Sequence, residues 1–393
     1  MKLVASALAV AALGLPAAQA SSPPSVPGLV YTAGYGNSIV TRFDPVTLER
    51  SGPRVRLGGN ASSWSYSPQG RYLAIASYPQ RLAVIDVATL RVVARLRLAP
   101  GGGVVRAVTW PRRDRVLAVV DAPRGAIVAA VDPLAGRLVR RTQLSRPLAF
   151  EFGRLPGGLV FLLGARNRIA SAQLAVVDAE GETRVATVRQ AAVGMVVRGS
   201  GRLEQRTPGL AVDPVGRKAY LVDGDRVFGV DLRTLDVSDP GPLRTLAKVA
   251  FGSVRSARWL GRGLLAVSGR DWGRGRRSSP GPAGLRLVDV RDWTARVVDR
   301  GASSFTVAGR VLLVESAPSR RALNVTAYGF DGRKRYRLDL FGSTWMKKRG
   351  RLGYACRDAF LRAVVDIATG TVLRSGFTPS TRCPTLLAGD SRA

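Results

Sequence analysis

An aspartate recurs eight times along the chain, each time at the end of one alternating apolar run and just before a second. The segments are FDPVTLER at Asp44, IDVATLRV at Asp86, VDPLAGRL at Asp132, VDAEGETR at Asp178, VDLRTLDV at Asp231, VDVRDWTA at Asp289, FDGRKRYR at Asp331 and VDIATGTV at Asp366. Successive aspartates are 42, 46, 46, 53, 58, 42 and 35 residues apart. A period near 46 residues built from strand-length runs demands a repeated β-unit rather than a single mixed core.

Each period also holds an upstream pair of runs. Ser67-Pro68-Gln69-Gly70 leads into Arg71–Ala76, and Asp213-Pro214-Val215-Gly216 leads into Lys218–Val222. Pro and Gly suit tight turns, and β-branched alternation suits half-buried strands. Four strands per period make an antiparallel sheet of the kind that repeats radially as a propeller blade. The expectation is therefore an all-β chain: one β-propeller of eight four-stranded antiparallel blades, or seven if the period ending at Asp331 is irregular. The repeating aspartates are read as turn residues, since an Asp side chain accepts backbone N–H groups two residues on.

The pattern is out of phase at the two ends in a way that matches such a fold. Residues 28–33 and 38–43 look like second and third strands without a first, and Pro384–Gly389 follows the last repeat unpaired. A C-terminal strand completing the first blade would remove both open edges.

Met1–Ala20 places Lys2 before the apolar run Leu3–Leu15 and ends in Ala18-Gln19-Ala20, the pattern of a cleaved leader. The run is too short for a bilayer span, which needs about 20 residues. Residues 1–20 are thus expected to be a signal peptide and 21–393 the propeller domain, secreted to the periplasm or beyond, with no transmembrane segment in the mature chain and a monomeric state. Cys356 and Cys383 are the two cysteines, an even pair for an oxidising compartment. A disulfide between them would contribute about 3 to 4 kcal/mol in the loop-entropy model; two buried free thiols are the alternative.

Within this frame, Val84-Ile85-Asp86-Val87-Ala88-Thr89-Leu90-Arg91-Val92-Val93-Ala94 resembles the YVTN-type propeller repeat, and Asp366-Ile367-Ala368-Thr369-Gly370-Thr371-Val372-Leu373 echoes it. The resemblance implies that the loops after second strands share a face with the connections between blades. On that face Cys356, at a second-strand end, and Cys383, in the connection to the closing strand, would meet and lock the closure. The resemblance does not imply one activity, because similar propellers include lactonases and surface-binding proteins.

The absence of histidine removes Ser-His-Asp and Cys-His catalysis and every His-ligated metal. No cofactor or metal is expected. Asp223-Gly224-Asp225 has two carboxylates but too few oxygens for calcium, and Arg226 opposes a cation. The loops after the second strands then hold the candidates: Asp121 and Arg124; Arg166 and Arg168; Asp223 and Asp225; Arg270, Asp271 and Trp272; Glu315; Arg357 and Asp358. Such acid–arginine pairs can bind an anionic or polar ligand or serve as rim ion pairs only. The longest excursion, SGRDWGRGRRSSPGPAG at 268–284, mixes arginines with one Trp in a composition that resists packing.

Sixty Lys and Arg against 27 Asp and Glu leave a formal charge of +33, a field that attracts polyanions. Only six of the 60 are Lys, so a compositional bias accounts for the charge equally well. The preferred reading is a non-catalytic exported binding or scaffold protein whose partner is an anionic polymer or acidic protein surface. The alternative is a carboxylate- or metal-dependent, lactonase-like hydrolase using Asp121, Asp223, Asp225, Asp271, Glu315 and Asp358.

Overall fold

The runs around Asp86 fold as their period requires. Strands Ala61–Tyr66, Tyr72–Ser77, Arg81–Asp86 and Arg91–Arg97 form one antiparallel meander. Its middle strands differ from the half-buried expectation, because Leu73 to Ala76 and Leu82 to Ile85 are all buried. Both sheet faces are covered, and the two-residue period divides the side chains between two neighbours. Leu73, Ile75, Ala83 and Ile85 pack with Val40 and Leu57 before them. Ala74, Ala76, Leu82 and Val84 pack with Val105, Val116 and Ile127 after them. Each fully buried Ile or Leu contributes about 1.5–3 kcal/mol, so every meander is stabilised by sandwiching.

These strands belong to a computed structural model that describes residues 28–32, 38–197, 203–239, 253–271, 281–319, 322–338, 345–357, 360–377 and 385–386. The expected leader, Trp272, Asp358 and Cys383 lie outside the described residues. The architecture is an all-β propeller of four-stranded antiparallel blades. Five blades are meanders of four consecutive strands, spanning 61–97, 104–143, 209–238, 302–338 and 345–375. A sixth four-stranded sheet joins Arg50–Arg56, Ile39–Phe43, Gly28–Thr32 and Thr385–Leu386 in that order, the last pairing through Val30↔Leu386 and Tyr31↔Thr385.

The remaining strands correct the expectation of eight, or seven, separate blades. Leu148–Leu155, Gly158–Gly164, Ile169–Asp178 and Thr183–Val197 form a meander whose last strand overruns. It turns back as Leu203–Thr207, which pairs in parallel with Ser253–Gly261 through Arg206↔Ser253 and Thr207↔Val254. The hairpin steps past the 209–238 blade and fuses the 148–197 and 253–299 meanders into one ten-stranded sheet. Among the described residues no helix is long and apolar enough to cross a membrane.

The recurring aspartates are turn residues in all eight cases. Asp44 accepts the N–H of Val46 and Thr47 at 2.8 and 2.6 Å, and Asp231 that of Arg233 and Thr234. Asp86, Asp132, Asp178, Asp289, Asp331 and Asp366 do the same with backbone donors two to four residues on. The fifth residue of the turn takes a left-handed conformation, with Leu48, Leu90, Leu235 and Trp293 at φ of 61, 54, 68 and 58°. Non-glycine residues adopt that region at a cost. Burial of the side chain offsets it, as Leu90 packs in the core.

The turn serves a second purpose, because its carbonyls receive a donor from the preceding blade. Arg42 donates to the carbonyls of Val87 and Ala88, and Arg184 to those of Leu232 and Arg233 at 2.8 and 2.6 Å. Thr142 reaches Gly181, Arg296 reaches Phe330, and the Tyr336 hydroxyl reaches Ile367. The Tyr354 hydroxyl donates to Pro45 at 2.7 Å, and Phe43 packs against Tyr354, Cys356, Leu361 and Val364.

Backbone N–H donors hold the Asp44 and Asp231 carboxyls below the usual 3.8. At Asp289 the Arg291 side chain and N–H lower it to about 2. A lowered folded value means stability that is present above pH 3.8 and lost as pH falls through the folded value. The thermal midpoint followed by circular dichroism should therefore drop between about pH 4 and pH 2. Asp289→Asn should make that drop shallower; an equally steep drop would detach the turn from the acid sensitivity.

Candidate functional site

In every antiparallel meander the end of the second strand lies beside the start of the first and the end of the fourth. This loop face lies opposite the face of Asp turns, and it carries those residues singled out from the sequence that are among the described ones. The register shows it at Ser77, whose pairs are Ala61 and Arg81, with Arg81 opposite Arg97.

Asp121 ends the strand Arg115–Asp121 and is buried. It accepts the Ala149 N–H of the next blade at 2.8 Å and pairs with Arg106. Burial pushes its carboxyl above 3.8, against the Ala149 N–H and Arg106, which pull it down. Asp223 ends Lys218–Asp223 in the same way, accepting the Ala192 N–H at 2.8 Å and the Ser253 hydroxyl at 3.5 Å. Its carboxyl is also raised by burial. For both, the sign of the pH linkage is opposite to that of the turn aspartates: their contribution to stability is present below 3.8 and lost as pH rises through the raised folded value.

A residue not singled out from the sequence joins two of the predicted loops. Arg255, 2 % exposed, donates to the carbonyls of Gly224 and Arg270, both at 3.3 Å, and pairs with Asp271 at 2.6 Å. It thereby ties the loop after the 218–223 strand to the loop after the 264–271 strand. The alternation Ser253, Arg255, Ala257, all buried, places this guanidinium on a core-facing parity. That parity was the signal in the sequence that could have found it.

The other predicted residues are more dispersed. Arg124 is exposed, and its carbonyl accepts the Gln143 amide at 3.1 Å. Asp225 is half-buried, Arg270 exposed, and Glu315 accepts the Ser304 hydroxyl at 2.8 Å. Arg357 closes the strand Leu352–Arg357, and Cys356 beside it is fully buried. Among the described residues no group of three or more Cys, Asp or Glu, drawn from the five proposed acids described or elsewhere, is placed to hold a metal ion.

Two further charged groups sit away from these loops. Glu151, at φ 31°, pairs with Arg258 at 3.7 Å. The pair links the first strands of two meanders that the 209–238 blade separates. On the turn face a cavity of about 280 Å³ opens over Leu155, Val177 and Leu232. Of its charged lining, Glu182 pairs with Arg140 and Arg184 donates to turn carbonyls, while Arg217 lies beside them. This cavity is thus on the face opposite the predicted loops.

No protein-family model matches the chain, and no curated protein matches it. Among solved structures, BamB from Moraxella catarrhalis aligns over 83% of this chain and 92% of its own, with 15% identity and a TM-score of 0.49. The computationally designed Ika8 protein aligns over 82% and 89%, with 10% identity and a TM-score of 0.49. Likenesses at this level assign neither partner nor activity.

Arg255→Ala removes every one of these bonds from a buried position. Unfolding by denaturant should lose about 2–3 kcal/mol, less than a fully buried pair because Asp271 keeps some solvent. Arg270→Ala, on the exposed neighbour, should leave the midpoint unchanged; equal effects would mean that the Arg255 network does not hold the loops together.

Proposed function

We propose that the protein is an exported, non-catalytic propeller of the YVTN-type repeat kind that binds an anionic polymer through its loop face. One observation carries this reading. Asp121, Asp223, Asp239, Asp271, Asp299 and Glu315 each bond within the protein. Arg124, Arg166, Arg168, Arg189, Arg270 and Arg300 are exposed on the same face. They have no carboxylate within ion-pair distance among the described residues. These six acids are spent within the protein, three of them (Asp121, Asp223 and Asp299) between blades, so the exposed charge left to meet a partner is mainly positive. Guanidinium forks suit phosphate, sulfate and carboxylate groups.

A lactonase-like hydrolase draws less support, since a carboxylate that accepts two internal donors, as Asp121 and Asp223 do, has little freedom to act as a base or metal ligand. The proposal includes cleavage after Ala20, a monomeric mature protein, and closure of the blades where Thr385–Leu386 pairs with Gly28–Thr32. It also includes a Cys356–Cys383 disulfide at that seam, which Phe43 and Tyr354 already pack together.

The full mature chain should bind heparin or polyphosphate at low ionic strength, with affinity falling steeply as salt rises. Absence of binding, or binding indifferent to salt, would sink the reading. Separately, the intact mass of protein purified from an export host should correspond to a start at Ser21 and should rise on reduction by two hydrogen atoms. An unchanged mass would dismiss the disulfide.

A further inference from the structure

The loop after the strand Gly158–Gly164 holds Arg166, Asn167 and Arg168, all exposed. Asn167 adopts a left-handed φ of 57°, which turns the chain sharply between the two arginines. Beneath the loop lies Arg146, from the connection between the 104–143 and 148–197 meanders. One of its amino groups donates to the Leu163 carbonyl at 3.4 Å and to that of Ser171. Leu163 and Ser171 are the two roots of the loop, so the Arg146 guanidinium is clamped at its base. Its remaining donors have no protein partner among the described residues.

Arg146 therefore feels the Arg168 charge at the base of one short loop that also carries Arg166, and none of the three is ion-paired among the described residues. Asp121, which feels the Arg166 charge, is already bonded to Arg106 and to the Ala149 N–H. Arg146 is half-buried, and burial followed by the neighbouring Arg168 charge makes its proton less firmly held. Like charges gathered at a partly desolvated site cost free energy unless an anion joins them. An oxyanion with three or four oxygens could accept from the fixed fork below and the two mobile forks above.

We propose that Arg146, Arg166 and Arg168 form a subsite for a single phosphate-type oxyanion, the anchoring point for one such group on an anionic polymer. The subsite rests on the polyanion reading but is narrower than it. Arg146 provides the preset base of the site. Arg166 and Arg168 close over the ligand from the loop.

The test is titration calorimetry of the mature chain with inorganic phosphate, in parallel with polyphosphate. Arg166→Gln combined with Arg168→Gln should weaken phosphate binding by about tenfold or more, the loss expected for at least one charge-assisted hydrogen bond. Arg137→Gln combined with Arg141→Gln removes the same charge from an exposed outer strand and should change it less than about twofold, as bulk charge alone predicts. Equal weakening in both double variants, or no phosphate binding by the parent chain, would overturn the subsite. Polyphosphate binding that persists unchanged in the loop variant would overturn it while leaving the wider polyanion reading intact. A parent chain that binds phosphate but no polymer would uphold the subsite and reject the wider reading.

Discussion

The structure depends on one local device: a carboxylate that folds its own turn at all eight positions, while at six of them a carbonyl at the turn accepts a donor from the preceding blade. Inward, the Asp44 side chain satisfies two N–H groups that would otherwise lack partners. Outward, the Pro45 carbonyl of the same turn accepts the Tyr354 hydroxyl. Because backbone groups are obligatory hydrogen-bonding partners, each turn is a fixed acceptor against which the preceding blade can register. The donor can then vary, as Arg42, Thr142, Arg184, Arg296, Tyr336 and Tyr354 show. This explains why the aspartate recurs so regularly while its flanking residues drift.

On the opposite face a different economy operates. There the carboxylates of Asp121 and Asp223 cross from one blade to the next and accept backbone N–H groups. They keep these bonds although burial disfavours their charge. The arginines on the same face, by contrast, project outward. A surface whose acids are consumed by assembly and whose bases are free has its sign decided by the fold rather than by composition alone. The +33 formal charge is a matter of composition; which guanidiniums on the loop face stay clear of carboxylates is decided by the fold.

Much of this was legible from local chemistry. The Asp turns, the four runs per period and the out-of-phase start at Gly28 all follow from patterns a few residues long. The separateness of the blades did not follow. Thr183–Val197 overruns its meander, and its return strand pairs two residues with Ser253–Gly261, a contact between segments about fifty residues apart that no turn signal announces. Arg255 is an intermediate case. Its parity with Ser253 and Ala257 marks it as inward-facing, yet only the arrival of the Gly224 and Arg270 carbonyls and the Asp271 carboxylate reveals what holds its charge.

The amino-acid sequence alone determined the repeating unit and the role of its aspartates, because turn hydrogen bonds and two-residue alternation are settled within a handful of neighbouring positions. Only the tertiary structure decided which carboxylates are consumed, which arginines remain outward and where Arg146 is clamped beneath its loop. Those outcomes depend on donors and acceptors brought together from different blades, and the energy of such pairs is set by burial that no short stretch of chain contains.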